Sequence, residues 1–332
     1  MLRVKEQYKY LVCTVVDKAP GRLLYTCPKF YEERLYNPTF PVRSDNTKYF
    51  PTGKSPTSIV EEKDKVFIQH RWHLLATRCP DARIAMPYVL PKLKDIVANC
   101  DDVMAKKGKC CRGRPIVPYT FDQWKRLYKK VGAVLLYIEN RIPRTHCAIV
   151  SNSAQVVKAI SEGVATAKTH YKDRPFSWLV AVGDVANMYD ELDHQSVDIA
   201  IDWLLKKTPS WLHRRERINM GFSVTPWGVV TEGRSTGENK EVYFDFQTIR
   251  KVCSLDNKYC IIVDRGEAVE KKLGCPMGGF LSPRKANATL AQSEWDIFEI
   301  VECLGMVMVL VRYMDDVMCA LAYASEKEKC LA

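Results

Sequence analysis

Two aspartates stand side by side in MVLVRYMDDVMCALAY, Met308 to Tyr323, between two apolar runs. The carboxylates of Asp315 and Asp316 repel each other, and partial burial raises the cost of ionising both. A divalent cation would offset that repulsion, because hard ions such as Mg²⁺ take carboxylate oxygens and keep water or substrate phosphate as further ligands. A plain solvated turn is the alternative, and one hairpin leaves both readings open. A third carboxylate bears on the choice. Asp184 closes the apolar run in FSWLVAVGDVANMY, at the end of what reads as a buried strand. Beside the hairpin in space, it would complete a three-aspartate cluster.

The elements that must position these residues follow from hydrophobic periodicity. The runs flanking Asp315 and Asp316 read as strand, tight turn and strand. Two-residue hairpin turns favour Asn-Gly or Asp-Gly because their central residues take positive φ, and no glycine stands at this break. Upstream, DARIAMPYVLPKLKDIVANC reads as a strand, a Pro-Lys break and a short helix, and RPIVPY as a second strand. FDQWKRLYKKVGAVLLYIENRI, SNSAQVVKAISEGVATAKTHY, HQSVDIAIDWLLKK and SPRKANATLAQSEWDIFEIVECL read as helices. TPWGVVTEGRSTGENK reads as a loop or exposed hairpin, and the first 70 residues show no clear periodicity. Between the two aspartate elements lies GCPMGGFLSPRKAN, whose glycines let backbone approach a ligand closely. PTGKSPTS lacks the spacing of a phosphate-binding loop.

Charge is unevenly distributed. Residues 1–150 carry 28 Lys and Arg against 14 Asp and Glu, and residues 151–332 carry 22 against 25, within a net charge of +11. The densest basic stretch, Lys106 to Lys130, interleaves Tyr119, Trp124 and Tyr128 with cations that include Lys125, Arg126, Lys129 and Lys130. Cations neutralise phosphates and aromatic rings stack on bases, so this stretch reads as a polynucleotide-facing surface. The charged opening MLRVKEQYKY is unlike a secretory signal, and the longest apolar run, CLGMVMVLV, is far short of a membrane span of ~20 residues. The 13 cysteines form no CxxC pair, which points to a reducing, intracellular setting without disulfides. His70, His73 and Cys79 make only a weak zinc pattern.

In this order, the motifs resemble the reverse transcriptase family over Arg83 to Met318. YVLPKLKD and RGRPIVPY resemble its two fingers motifs, VAVGDVANMY its motif A, GCPMGGFLSPRKAN its motif B and VRYMDDVM its motif C. The LPK, RPIV and PMG-x-x-LSP variants are most similar to Penelope-like retroelements, a class of retrotransposon, and to their telomerase relatives. The resemblance implies an α+β right-hand polymerase with a basic N-terminal extension over 1–75, fingers over 76–180, and a palm over 181–332 interrupted by an insertion at about 206–272. It implies RNA-directed DNA synthesis with two Mg²⁺ or Mn²⁺ ions, an RNA template, a DNA primer and deoxynucleoside triphosphates.

Residue by residue, the resemblance makes Asp184, Asp315 and Asp316 the catalytic metal ligands, joined by the Val185 carbonyl. Lys92 and Arg114 would grip the triphosphate, and their separation of 22 residues implies an insertion in the fingers hairpin or a different arginine. Tyr189 matches the steric gate that excludes a 2′-hydroxyl. Met277, standing where many relatives have glutamine, and Gly278 would line the nucleotide pocket. Asp190, Glu191 and Asp193 read as solvated. Only 16 residues follow Asp316, so the thumb and the end of the palm are expected to be missing. Two rival functions remain: a non-catalytic nucleic-acid-binding remnant, and an RNA-directed RNA polymerase, against which Tyr189 argues.

Overall fold

The structure is a computed structural model that describes residues 10–18, 21–40, 48–92, 113–172, 174–212, 221–234 and 240–325. The expected helix in LKDIVANC and the basic residues 106–112 lie outside the described residues. Among the described residues the chain is mixed α+β, and its paired strands run antiparallel, with three isolated parallel bridges beside them. It divides into two compact units, Met1–Tyr128 with Asp256–Ser282, and Lys129–Leu255 with Pro283–Ala332.

The first unit packs aromatic rings around a buried ion pair. The Pro56–Gln69 helix starts at Ser55, whose Oγ accepts from the Ser58 amide at 3.1 Å, with proline in the first turn. It buries Ile59, Lys63 and Phe67. Lys63 Nζ lies 2.6 Å from Asp122 and 4.7 Å from the Trp124 ring centroid, so its charge is compensated inside the core. Strand Tyr88–Pro91 pairs with Gly113–Ile116. Strand Glu267–Lys271 pairs with both Ile261–Asp264 and Tyr49–Pro51. Among the described residues, the first 70 therefore contain the Pro56–Gln69 helix, a helical stretch made of Pro28–Phe30, Tyr31–Tyr36 and Asn37–Thr39, and three strands, Val12–Val15, Leu23–Thr26 and Tyr49–Pro51. Strands of three or four residues are too short for a period to register.

In the second unit, strand Val307–Tyr313 pairs with Asp316–Tyr323, which pairs in turn with Ser177–Asp184. The Ser153–Tyr171 helix, capped by the Asn152 side chain, packs on one face. Val309, Val311 and Ala320 form one core cluster with Val150, and Val307 and Ala322 form a second with Ala167 and Tyr171. A Cβ at Gly163 would stand 2.0 Å from Val309 Cγ2, so this mid-helix glycine serves close packing, despite a helix cost of about 0.5–1 kcal/mol.

One expectation is corrected here. Strand Ser177–Asp184 is largely exposed, with Val182 79% accessible. It is the outer strand of its sheet and has a neighbour on one edge only among the described residues. The apolar run reported β propensity, which does not specify burial on both faces.

The His194–Trp211 helix begins at Asp193, whose carboxylate accepts from the Ser196 amide at 2.8 Å, so Asp193 is a cap and not merely a solvated charge. The Gly/Thr-rich segment supplies the turn and the strand Val230–Glu232 of an antiparallel hairpin with the preceding strand Gly221–Val224, exposing Trp227 near the turn. Strand Val242–Asp245 joins the same sheet, and a Phe246–Lys258 helix follows. The Ser282–Cys303 helix leads into the aspartate hairpin.

Candidate metal centre

Pairing of Tyr313 with Asp316 closes the hairpin on a two-residue turn, Met314-Asp315. Met314 takes φ of 58° while Asp315 stays at negative φ, an arrangement like the type II′ turn, which favours glycine at its first central position. The same register sets Asp316 directly opposite Asp184. Carboxylate oxygens of Asp184, Asp315 and Asp316 all lie within 4.8 Å of one another, and all three residues are exposed. Like charges placed opposite each other on adjacent strands destabilise a sheet. Three converging hard oxygen donors have the chemistry to hold a hard divalent cation. The Val185 amide donates to the Asp315 carbonyl at 2.7 Å, while the Val185 carbonyl accepts from Met188 at 3.3 Å. Among the described residues, this is the one cluster of three or more potential metal-ligating side chains. His70 instead stacks on Trp72, with ring centroids 5.1 Å apart.

The other site candidates divide between the two units. Tyr189 belongs to the second unit, half-buried in the short Met188–Glu191 helix. Lys92 and Arg114 belong to the first, at the end of the Tyr88–Pro91 and Gly113–Ile116 hairpin. Arg114 stands opposite Leu90, which puts it on the same hairpin face as Lys92. Asp17 bridges to Lys92 through backbone pairing and lies 3.4 Å from Arg114 Nε. Met277 and Gly278 also lie in the first unit. The Met277 carbonyl accepts from the Val117 amide at 2.7 Å, and a Cβ on Gly278 would meet the Val117 carbonyl at 2.5 Å. The close backbone approach that needs this glycine is therefore to Val117, part of the protein itself.

The basic stretch is corrected in its aromatic part. Tyr119, Trp124 and Tyr128 are buried, and Trp124 packs edge-on against Trp72, Tyr128 and Tyr259. Rings enclosed in this core are not presented to nucleic-acid bases. Along the Lys125–Glu139 helix, Arg126 and Lys129 are exposed, whereas Lys125 and Lys130 are half-buried. Lys125 Nζ donates to the Thr120 carbonyl at 3.0 Å, Arg126 bonds the Thr77 hydroxyl, and burial pulls the Lys130 ammonium below its usual range.

No protein-family model and no curated protein matches this chain. Solved structures do. A telomerase from Candida albicans, determined with the TWJ fragment of telomeric RNA, aligns over 99% of the chain with a TM-score of 0.62 and 14% identity. An apo telomerase from Candida tropicalis truncated from its C-terminal domain aligns over 97% with a TM-score of 0.60 and 12% identity. The fold is telomerase-like. The chain spans about half the length of these structures, 48% and 54% respectively.

Within this telomerase-like fold, sequence reasoning overlooked Arg312. Its side chain is only 1% exposed, beside the aspartate turn. The available signal was a guanidinium set among Met308, Val309, Leu310 and Val311 in an otherwise apolar strand. Described helices do not include one long and apolar enough to cross a membrane.

Proposed function

We propose that the chain carries the fingers and palm of an RNA-directed DNA polymerase of the telomerase and Penelope-like type, adding deoxynucleotides to a primer 3′-hydroxyl on an RNA template. The convergence of Asp184, Asp315 and Asp316 within a telomerase-like fold carries this reading. On this reading, residues 1–75 are a basic extension, 76–180 the fingers, and 181–332 a palm with an insertion at about 206–272.

The primer oxygen attacks the α-phosphorus in line, and pyrophosphate leaves. Two bound Mg²⁺ or Mn²⁺ ions supply activation of the attacking oxygen and charge neutralisation at the leaving one. Asp184 and Asp315 would hold those ions, with the Val185 carbonyl as a further ligand and Asp316 completing the charge of the site. Lys92 offers a point charge and Arg114 a planar fork for the triphosphate. Tyr189 sits five residues after Asp184 and excludes the 2′-hydroxyl. Met277 and Gly278 line the nucleotide pocket. Lys125, Arg126, Lys129 and Lys130 contact phosphates without reading sequence.

Extension of a DNA primer on an RNA template, with Mg²⁺ or Mn²⁺, tests the reading. Incorporation that disappears in Asp315→Asn, with template binding intact, supports the polymerase. Salt-sensitive RNA binding without any Asp315-dependent incorporation would identify a binding remnant instead.

A further inference from the structure

We propose that Arg312 is the positioning residue of the aspartate turn, clamping the Met314 carbonyl so that Asp315 is held beside Asp184. Its consequence for cation binding rests on the proposed function, whereas its geometric part stands independently. A guanidinium in a nearly closed interior is tolerated only when its charge and its donors are matched. Arg312 meets Glu294 of the Ser282–Cys303 helix through two contacts, Nε to Oε1 and Nη2 to Oε2 at 3.4 Å. Nη1 then donates to Asn287 Oδ1 at 3.1 Å and to the Met314 carbonyl at 3.0 Å.

The same network reaches two helices. Asn287 Nδ2 donates to Glu139 Oε2 at 3.2 Å, and Arg284 Nη1 donates to that oxygen at 2.6 Å. Two guanidiniums thus face two carboxylates around one amide, whose orientation is set by its partners. The Arg312 backbone is held as well: its amide donates to Ala148 at 2.7 Å, and its carbonyl accepts from Val150 at 3.0 Å.

The turn needs such a hold. A non-glycine residue on the left-handed side stores strain and persists where its surroundings over-determine it. Here Arg312 holds the Met314 carbonyl, and the Val185 amide holds the Asp315 carbonyl at 2.7 Å. Each central carbonyl of the turn is therefore fixed by a different strand region. Releasing Met314 would let it relax toward negative φ and turn the Asp315 peptide away from Val185. A lysine ammonium retains charge but cannot present the planar fork that reaches Glu294, Asn287 and Met314 together.

The test uses the full chain with Arg312→Lys, with the charge-neutral pair Arg312→Met/Glu294→Leu, and with each of these combined with Met314→Gly. Two readouts are taken: hydrogen exchange at the Val185 amide and Mn²⁺ affinity. Both Arg312 backgrounds should lose Val185 protection and at least tenfold in Mn²⁺ affinity, while amides of the Val307–Tyr313 and Asp316–Tyr323 ladder stay protected. Met314→Gly should restore much of both, since glycine adopts positive φ without the clamp. Unchanged Val185 exchange, or ladder protection lost together with it, would overturn the proposal. Wild-type protein that binds no Mn²⁺ would remove the proposed function alone, because the exchange readout still decides the role of Arg312.

Discussion

Glu139 shows how burial outweighs pairing at a single residue. Its carboxyl is pushed up to about 7 by desolvation, against the opposing influence of Arg284, Asn287 and Arg312. An acid whose folded pKa lies above its ordinary 4.5 binds its proton more tightly in the native state. The resulting stability is fully present below about pH 4.5 and is lost as pH rises toward 7, at no more than about 1.4 kcal/mol per pH unit. Glu139→Gln should flatten this part of the stability profile, measured by urea unfolding between pH 4.5 and 8. An unaltered slope would mean that another group titrates there. Tyr189 provides the second residue-scale prediction. Under the proposed function, Tyr189→Ala should lower discrimination against ribonucleotides by roughly tenfold, about 1.4 kcal/mol of selectivity, in single-turnover incorporation assays. Equal discrimination in both proteins would place the gate elsewhere.

Among the elements, the junction between the glycine-rich loop and Val117 is set by backbone approach. Gly278 has φ of 109°, and an added Cβ would meet the Val117 carbonyl at 2.5 Å. Neither the torsion nor the contact can be relieved by moving a flexible side chain. Gly278→Ala should therefore destabilise the protein by about 2 kcal/mol or more, read as a lower denaturation midpoint at constant m-value. A wild-type midpoint would show that the loop shifts at little cost. The aspartate hairpin uses the opposite solution at Met314, where side-chain and backbone donors hold a strained turn that has no glycine.

Over the whole molecule, the proposed function assigns phosphate contacts to the basic half of the chain, and its cations are not equivalent. Lys125 and Arg126 already have partners, and Lys130 is partly desolvated. Replacing Lys125, Arg126, Lys129 and Lys130 with Ala should weaken RNA and DNA binding and reduce the log–log salt slope by up to about 3. Filter binding across a salt series measures both effects. Under the proposed function, Asp315→Asn should leave that slope intact while abolishing nucleotide addition. An unchanged slope in the fourfold variant would exclude this helix as a phosphate contact.

The residue types and order carried most of the local information. Apolar runs and helical spacing located Ser177–Asp184, the aspartate hairpin and the helices Lys125–Glu139, Ser153–Tyr171, His194–Trp211 and Ser282–Cys303, but not the Pro56–Gln69 and Phe246–Lys258 helices. The paired aspartates advertised a need for compensating charge, and Asp184 was legible as a third carboxylate at a strand end. Tertiary structure decided which residues meet. It placed Asp184 opposite Asp316, enclosed Tyr119, Trp124 and Tyr128 in a core, and left Ser177–Asp184 at a sheet edge. It also joined Arg312 to Glu294 and Asn287 of the preceding helix and, through Asn287, to Glu139 far away in sequence. Local periodicity reports the face an element can bury, whereas register, desolvation and charge compensation depend on partners that only the folded chain brings together.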